Sequence, residues 1–183
     1  MKETLSSIAK RTGFSVTTVS RVLSGKAEQH RISPDTIEKV LKDARAHDYS
    51  PSLIAQSLRT NRTNTIGILL PSLSNPYFAE MASVIISEVH RRNYTGIIID
   101  TMEDEKKFND SASILLSRRV DGIIAVPCGT DDSLIESINR NYLPIVLIDR
   151  YYDNSKLSFV TTNNHKGGLM ATRHLIDMGH KRI

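Results

Sequence analysis

The spacing of apolar residues changes once along this sequence, and the change divides the chain into two parts. Near the start the spacing is helical: Leu5, Ile8 and Ala9 fall at i, i+3 and i+4. From Ile66 onward, short apolar runs alternate with helical segments. The pattern predicts an all-α N-terminal part followed by an α/β part.

The first two predicted helices are arranged like a helix-turn-helix that reads DNA. Gly13 ends the first helix, because a chain that reverses within a few residues needs a positive φ there. Ser15 can cap the second helix, and Val19 and Val22 form its inner face. The residues on its outer face can reach base edges in the major groove of DNA; these are Val16, Thr17, Ser20 and Arg21.

Charge separates the same two parts of the chain. The first 65 residues contain 11 Lys and Arg against 6 Asp and Glu, whereas the remaining residues contain 13 against 14. A positive N-terminal part is expected of a module that binds phosphates, and it weighs against an ordinary helical hairpin. Thr4 and Ser15 are predicted to position this module on the DNA backbone.

The second part predicts a parallel sheet that is covered by helices on both faces. A polar stretch at 60–65 precedes it and is predicted to be a linker. Asn164 is expected to cap the last helix, which Gly179 ends. The predicted strands are 66–70, 95–100, 120–126, 144–149 and 158–162, and the predicted helices between them are 77–92, 108–117 and 132–140.

Two segments of the second part could bind a ligand, because ligands gather beyond the carboxyl ends of parallel strands. One follows the first strand and the other follows the fourth. Their amide, aromatic and charged groups suit a sugar or a nucleoside. The alternatives are that the aromatic residues belong to the core and that the charged pair is a solvated strand end. The predicted ligand-binding residues are Asn75, Tyr77, Phe78, Asp149 and Arg150.

Other chemistry finds little support in the sequence. No glycine-rich phosphate loop follows the first strand. The six histidines show no metal-ligand spacing, and the acidic run 103–105 is expected to be solvated. Cys128 is the single cysteine and is expected to be a structural thiol. With no secretory signal and no apolar run of membrane-spanning length, we predict a cytoplasmic protein that is not an enzyme and holds no metal or cofactor.

Three segments resemble the headpiece of the LacI/GalR family of bacterial transcription regulators: TVSRVLSG at 18–25, ISPDT at 32–36 and YSP at 49–51. The resemblance continues through the whole chain. It implies a helix-turn-helix domain over 1–49, a hinge helix over 50–59, a linker over 60–65, a first periplasmic-binding-protein-like lobe over 66–162 and the opening helix of a second lobe over 163–183. Most of the second lobe is then missing, so the chain is expected to be truncated.

The resemblance also implies how such a protein works. Family members bind double-stranded operator DNA as homodimers, with a small-molecule effector between the lobes. A hinge leucine enters the minor groove in the family, and Ala55 and Leu58 match that pattern here. Ser52 stands where the family commonly has Asn, and the loop 26–31 is two or three residues longer than usual.

The predicted function is therefore a sequence-specific DNA-binding regulator, a repressor controlled by a sugar or a related metabolite. The alternative is a sugar-binding solute receptor of the same α/β fold that does not bind DNA.

Overall fold

The computed structural model describes residues 3–50, 57, 60–141, 143–153 and 155–183. These residues form two compact units, Met1–Thr60 and Asn61–Ile183. The predicted fold class, a helical N-terminal part followed by a parallel α/β lobe, is confirmed. Most of the predicted hinge helix, with Ala55 and Leu58, lies outside the described residues.

The described part of the first unit contains three α-helices around a small apolar core. One residue from each helix is fully buried there: Ile8, Val19 and Val40. Burying one such side chain favours folding by about 1.5–3 kcal/mol, so these three residues hold the helices to one centre. Its described helices are α1 (Leu5–Thr12), α2 (Val16–Leu23), a short 3-10 helix (Glu28–His30) and α3 (Pro34–Ala46).

The second unit is built on a five-stranded parallel sheet. Its described elements are β1 (Thr65–Leu70), α4 (Pro76–Arg91), β2 (Thr95–Asp100), α5 (Glu105–Ser117), β3 (Gly122–Ala125), α6 (Ser133–Arg140), β4 (Ile145–Ile148), β5 (Ser158–Val160) and α7 (Asn164–Asp177). The strand order is β2-β1-β3-β4-β5, and every neighbouring pair is parallel. β2 lies on one side of β1 and β3 on the other, so the strand order reverses at β1. Ligands bind at such a reversal, beyond the carboxyl ends of the strands.

Apolar packing on both faces of the sheet explains the uninterrupted apolar run of β1. Leu69 lies in a buried cluster with Phe108 and Leu115, whereas Ile68 lies in another with Phe78. Neighbouring residues of a strand point to opposite faces. A central strand of this sheet therefore needs apolar side chains at successive positions.

Most of the predicted helices and strands are confirmed to within a few residues. β2 has the predicted bounds, whereas α5 begins at Glu105, three residues before the predicted start at Phe108. Asp104 caps α5, because its side chain accepts a hydrogen bond from the backbone N–H of Lys107 at 2.7 Å. The first turn of α5 is charged and has no apolar periodicity, so the spacing of apolar residues could not reveal it.

Two local features differ from the expectations. The residue that caps α7 is Asn163 and not Asn164: the side chain of Asn163 accepts a hydrogen bond from the backbone N–H of Lys166 at 2.9 Å. The predicted polar loop 26–31 contains the 3-10 helix, which polar composition does not reveal.

The C-terminal half of the predicted linker is fastened to the sheet. The backbone N–H groups of Thr63 and Asn64 each donate to the carboxylate of Asp121 at 2.9 Å. Thr65 is already part of β1. The domain limits drawn from the sequence, including the boundary at 60–65, stay predictions.

Candidate DNA-reading surface and ligand site

The turn between α1 and α2 has the backbone geometry that a helix-turn-helix requires. Gly13 has a φ of 77°, and its N–H donates to the carbonyl of Ala9 at 3.0 Å. The side chain of Ser15 then caps α2 by accepting a hydrogen bond from the backbone N–H of Thr18 at 3.0 Å. Both sequence predictions for this turn, the positive φ and the serine cap, are confirmed.

The outer face of α2 carries the residues that were predicted to read bases. Val16 is 44% exposed although it is apolar; Thr17 and Arg21 are exposed, and Ser20 is half-buried. Within the part of the chain that the structure describes, the side chains of Thr17 and Arg21 have no hydrogen-bond or ion-pair partner. α2 therefore offers polar groups that an outside ligand can bind.

The N-terminal end of α1 is closed by a capping box. Thr4 accepts a hydrogen bond from the backbone N–H of Ser7 at 3.2 Å, and Ser7 accepts one from the backbone N–H of Thr4 at 3.0 Å. Such a helix start presents further backbone N–H groups to an anion. Thr4 thus lies at a helix N-terminus, where a phosphate contact is physically reasonable.

An ion-pair cluster joins α1 to α3. The guanidinium of Arg11 donates to Glu3 at 3.0 Å and to Asp43 at 2.8 Å. Hydrogen bonds from Arg11 and from Ser7 lower the pKa of Glu3 from its ordinary 4.5 to about 2, and those from Arg11 also lower the pKa of Asp43. Sequence reasoning missed this cluster, because Arg11 and Asp43 lie 32 residues apart and no local pattern links them.

The loop 26–31 after α2 is anchored in the core of the first unit. Ala27 is only 6% exposed, and its carbonyl accepts hydrogen bonds from the backbone N–H groups of His30 and Ile32, both at 3.1 Å. Lys26 and Arg31 are exposed on this anchored loop. Two positive charges therefore lie close behind the C-terminal end of α2.

The second unit brings together the two segments that were predicted to bind a ligand. The hydroxyl of Tyr77, at the start of α4, donates to Asp149 Oδ1 at 3.0 Å, although the two residues are 72 apart in sequence. This hydrogen bond raises the pKa of Tyr77. The hydroxyl of Thr161 donates to the carbonyl of Asp149 at 2.8 Å, which holds the end of β4 against the chain after β5.

The remaining predicted residues have different surroundings. Asn75 caps α4, and its side-chain oxygen accepts a hydrogen bond from the backbone N–H of Tyr77 at 3.0 Å. Phe78 is 3% exposed in the core, whereas Tyr77 is 51% exposed. The guanidinium carbon of Arg150 lies 5.7 Å from the centre of the Phe78 ring. Of these two rings, only that of Tyr77 is exposed to solvent, whereas the buried ring of Phe78 packs against the guanidinium of Arg150.

Glu103 also belongs to this group, and the sequence interpretation placed it in a solvated acidic run. Arg150 Nη1 donates to Glu103 Oε2 at 2.8 Å, and Nη2 donates to Oε1 at 3.1 Å. This paired contact lowers the pKa of Glu103 and raises that of Arg150. The side chain of Glu103 is half exposed, so it is solvated as expected, but it is also bound to Arg150.

A cavity of about 550 Å³ opens beside these residues. It is lined by Asp149, Arg150, Tyr151 and residues 161–165, whereas Tyr77 and Glu103 lie outside its lining. Ligand pockets are generally about 300–1,000 Å³, so the size suits a small molecule. Cys128 does not line this cavity: it is buried in the apolar core, and burial raises the pKa of its thiol.

No group of three or more His, Cys, Asp and Glu side chains in the described ranges is placed to hold a metal ion. Among the same residues, no helix combines the length and the apolar character that crossing a membrane requires.

Two family models match this chain, one in each unit. Residues 4–52 match the bacterial regulatory proteins of the lacI family. Residues 63–183 match the periplasmic binding proteins and sugar binding domain of the LacI family. The chain belongs to the LacI family. The family inferred from the resemblance of its sequence is therefore confirmed.

Individual relatives agree with the family assignment. The HTH-type transcriptional repressor PurR of Mannheimia succiniciproducens is 35% identical over 182 residues, which are 98% of this chain and 53% of that protein. The chain thus spans about half the length of the curated LacI-family relatives it matches.

Solved structures agree with the fold. The Lac repressor dimer bound to operator and the anti-inducer ONPF has a TM-score of 0.84 and covers all of this chain, which spans 55% of that one at 23% identity. A periplasmic binding protein/LacI transcriptional regulator from Alkaliphilus metalliredigens, complexed with D-xylulofuranose, has a TM-score of 0.58 at 33% identity. That match covers 65% of this chain and 43% of that one.

Proposed function

We propose that this LacI-family chain works as a sequence-specific DNA-binding transcriptional regulator, a repressor under the control of a small-molecule effector. The observation that carries the proposal is the α1–α2 turn together with the exposed outer face of α2, where Thr17 and Arg21 have no side-chain partner among the described residues. A solute receptor has no use for this face, which is why the regulator is preferred to the receptor alternative.

The DNA contacts are divided between two roles. Val16, Thr17 and Arg21 reach base edges in the major groove, because they are exposed on the second helix of a helix-turn-helix. Thr4 and Ser15 position the headpiece on phosphates through the N-terminal ends of α1 and α2. The complete proposed set is Thr4, Ser15, Val16, Thr17, Ser20 and Arg21, with Ala55 and Leu58 from the segment that the structure does not describe.

The effector is a neutral metabolite such as a sugar or a nucleoside, bound at the carboxyl ends of β1 and β4. The proposed contacts are Asn75, Tyr77, Asp149 and Arg150, with Phe78 holding Arg150 in place. The sugar named in the Alkaliphilus metalliredigens complex supports this ligand class. In the mechanism we propose, the effector binds between this lobe and a second one, and the change in lobe angle alters the fit of the headpieces to DNA.

The partners follow from this role. The regulator binds double-stranded operator DNA as a homodimer, as the operator-bound Lac repressor dimer suggests by analogy. It acts in the cytoplasm, where it meets the chromosome, and it performs no catalysis; the repressor relatives support both points.

Selection of duplexes from a random pool tests the DNA-binding role. We expect the 183-residue chain to enrich a near-palindromic sequence with two half-sites, and the binding constant to fall steeply as salt concentration rises. A variant in which Thr17 and Arg21 are both replaced by Ala should retain its circular dichroism spectrum but enrich no common sequence. Enrichment of the same sequence by this variant would show that α2 does not read the operator.

A further inference from the structure

The positive charge that the ligand site offers is already paired within the chain. Both terminal nitrogens of the Arg150 guanidinium donate to the carboxylate of Glu103, at 2.8 and 3.1 Å. Paired contacts of this kind match the geometry of a carboxylate or a phosphate. Glu103 therefore occupies the side of Arg150 that an anionic ligand would bind.

The backbone holds Glu103 in this position. Met102 and Glu103 have φ values of 55° and 54°, a conformation that such side chains rarely adopt. The backbone N–H of Glu103 donates to the carbonyl of Pro71 at 2.8 Å, and that of Met102 donates to Asp100 Oδ1 at 2.9 Å. Two successive residues in this conformation persist only where surrounding contacts hold them, and such residues cluster at ligand sites.

The acidic groups around Arg150 outnumber it. Asp149 lies next to it in sequence, with Asp149 Oδ2 3.9 Å from Arg150 Nε. Glu103 is the second carboxylate of the group. The local charge around the one guanidinium is thus negative, which opposes the approach of an anion.

Groups that suit hydroxyls are still available at the same site. A guanidinium has five N–H donors, and Glu103 takes two of them, so three remain. The distance of 3.9 Å from Arg150 Nε to Asp149 Oδ2 is too long for a hydrogen bond. Asp149 Oδ1 accepts from Tyr77, which leaves Oδ2 free to accept from a ligand hydroxyl. Adjacent donors and acceptors of this kind fit vicinal hydroxyl groups.

We infer that Glu103 is a specificity-determining residue, which makes this site select neutral polyhydroxylated ligands and exclude phosphorylated or carboxylated ones. The inference deepens the proposed function and rests on it for the ligand class. The N-terminus of α7 also borders the cavity, but Asn163 already accepts hydrogen bonds from the N–H groups of Lys166 and Gly167, so fewer donors remain there for an anion.

Titrations followed by NMR chemical shifts test the inference, because they measure weak binding. The probes are D-ribose, D-ribose 5-phosphate and inorganic phosphate, each added to the 183-residue chain. Glu103→Gln removes the charge and keeps the shape. Glu103→Asp keeps the charge and shortens the side chain. Glu80→Gln is the matched control, since Glu80 is an exposed residue of α4 that makes no contact with Arg150 among the described residues.

The native chain should bind ribose at least as well as its phosphate ester. In Glu103→Gln the affinity for both phosphate probes should rise about tenfold, because a like charge within a few ångströms of the ligand is gone, while ribose binding stays within about twofold. Glu103→Asp and Glu80→Gln should still discriminate against phosphate.

Two results would overturn the inference: tighter binding of the phosphate ester by the native chain, or an unchanged ratio of phosphate to ribose binding in Glu103→Gln. If ribose binds to no variant and phosphate shifts the Arg150 signals only in Glu103→Gln, the charge selection stands and the sugar assignment of the proposed function fails. Failure of the two proposals is therefore distinguishable.

Discussion

Each unit of this protein has an arginine on a proposed binding surface, and the two arginines differ in their side-chain partners. Arg21 is exposed on α2 and has no partner among the described residues. Arg150 is bound to Glu103 and lies over the ring of Phe78. The charge of Arg21 is therefore unpaired among the described residues, whereas that of Arg150 is paired with a carboxylate of the same chain.

The difference agrees with the charge of the expected ligands. DNA brings its own negative charges, and release of its counterions drives binding to an unpaired cation. A neutral sugar brings none, so an unpaired arginine at its site would attract anions instead. Pairing Arg150 with Glu103 keeps its directional hydrogen bonds while removing its net charge.

Removal of the support beneath Arg150 should have the largest effect. Phe78→Ala deletes a ring that is 3% exposed in the core, so it should destabilise the α/β unit by about 3–5 kcal/mol. Chemical denaturation followed by circular dichroism measures this loss. If Phe78 were mainly a ligand contact at the surface, the loss would be below about 1 kcal/mol, and our placement of the ring would be wrong.

Removal of the open arginine should affect binding and leave stability unchanged. Arg21→Ala should weaken binding to the selected operator by about 1–3 kcal/mol, and by much less on random DNA, because a base contact is lost as well as a charge. Titrations on both duplexes at one salt concentration measure the difference. Lys10→Ala on α1 removes the same charge as a control. Equal losses on the two duplexes would show that Arg21 contacts only phosphate.

Two glycines, one in each unit, should respond in opposite directions. Gly13→Ala should destabilise the headpiece by about 1–2 kcal/mol, because its φ of 77° is unfavourable for a residue with a Cβ. Gly167→Ala, inside α7 with open space around it, should stabilise the α/β unit by about 0.5–1 kcal/mol. Thermal unfolding measures both shifts. A neutral Gly13→Ala would contradict the tight turn between α1 and α2.

Acid should weaken the ion-pair cluster of Glu3, Arg11 and Asp43, with a small effect on stability because these side chains keep contact with solvent. The folded pKa of Glu3 is lowered to about 2 from 4.5. Its contribution is therefore complete above about pH 4.5 and is lost as the pH falls toward 2. NMR titration of the Glu3 carboxyl should show this midpoint, and Arg11→Met should raise it toward 4.5, with the hydrogen bond from Ser7 still lowering it in part. An unchanged midpoint in the variant would rule out Arg11 as the cause.

The residues of the proposed ligand site that the sequence could predict are those at the carboxyl ends of strands. Tyr77 and Asp149 follow the apolar runs of β1 and β4, so the rule for parallel sheets found them. The same rule could not find Glu103, because its contact with Arg150 spans 47 residues and depends on the left-handed backbone at Met102 and Glu103. Nor could it separate Tyr77 from Phe78, since only the packing of α4 on the sheet decides which ring is buried.

The sequence by itself determined the local elements of both units. Interactions within a few residues set the turn at Gly13, the cap at Ser15 and the bounds of β2. The spacing of apolar residues and the identity of capping residues therefore predict them. Tertiary structure alone decided the pairs Arg11–Asp43, Tyr77–Asp149 and Glu103–Arg150, at separations of 32, 72 and 47 residues. The physical reason is that the sequence around a polar or charged residue does not identify its distant partner. Strand order and helix packing bring the two side chains together.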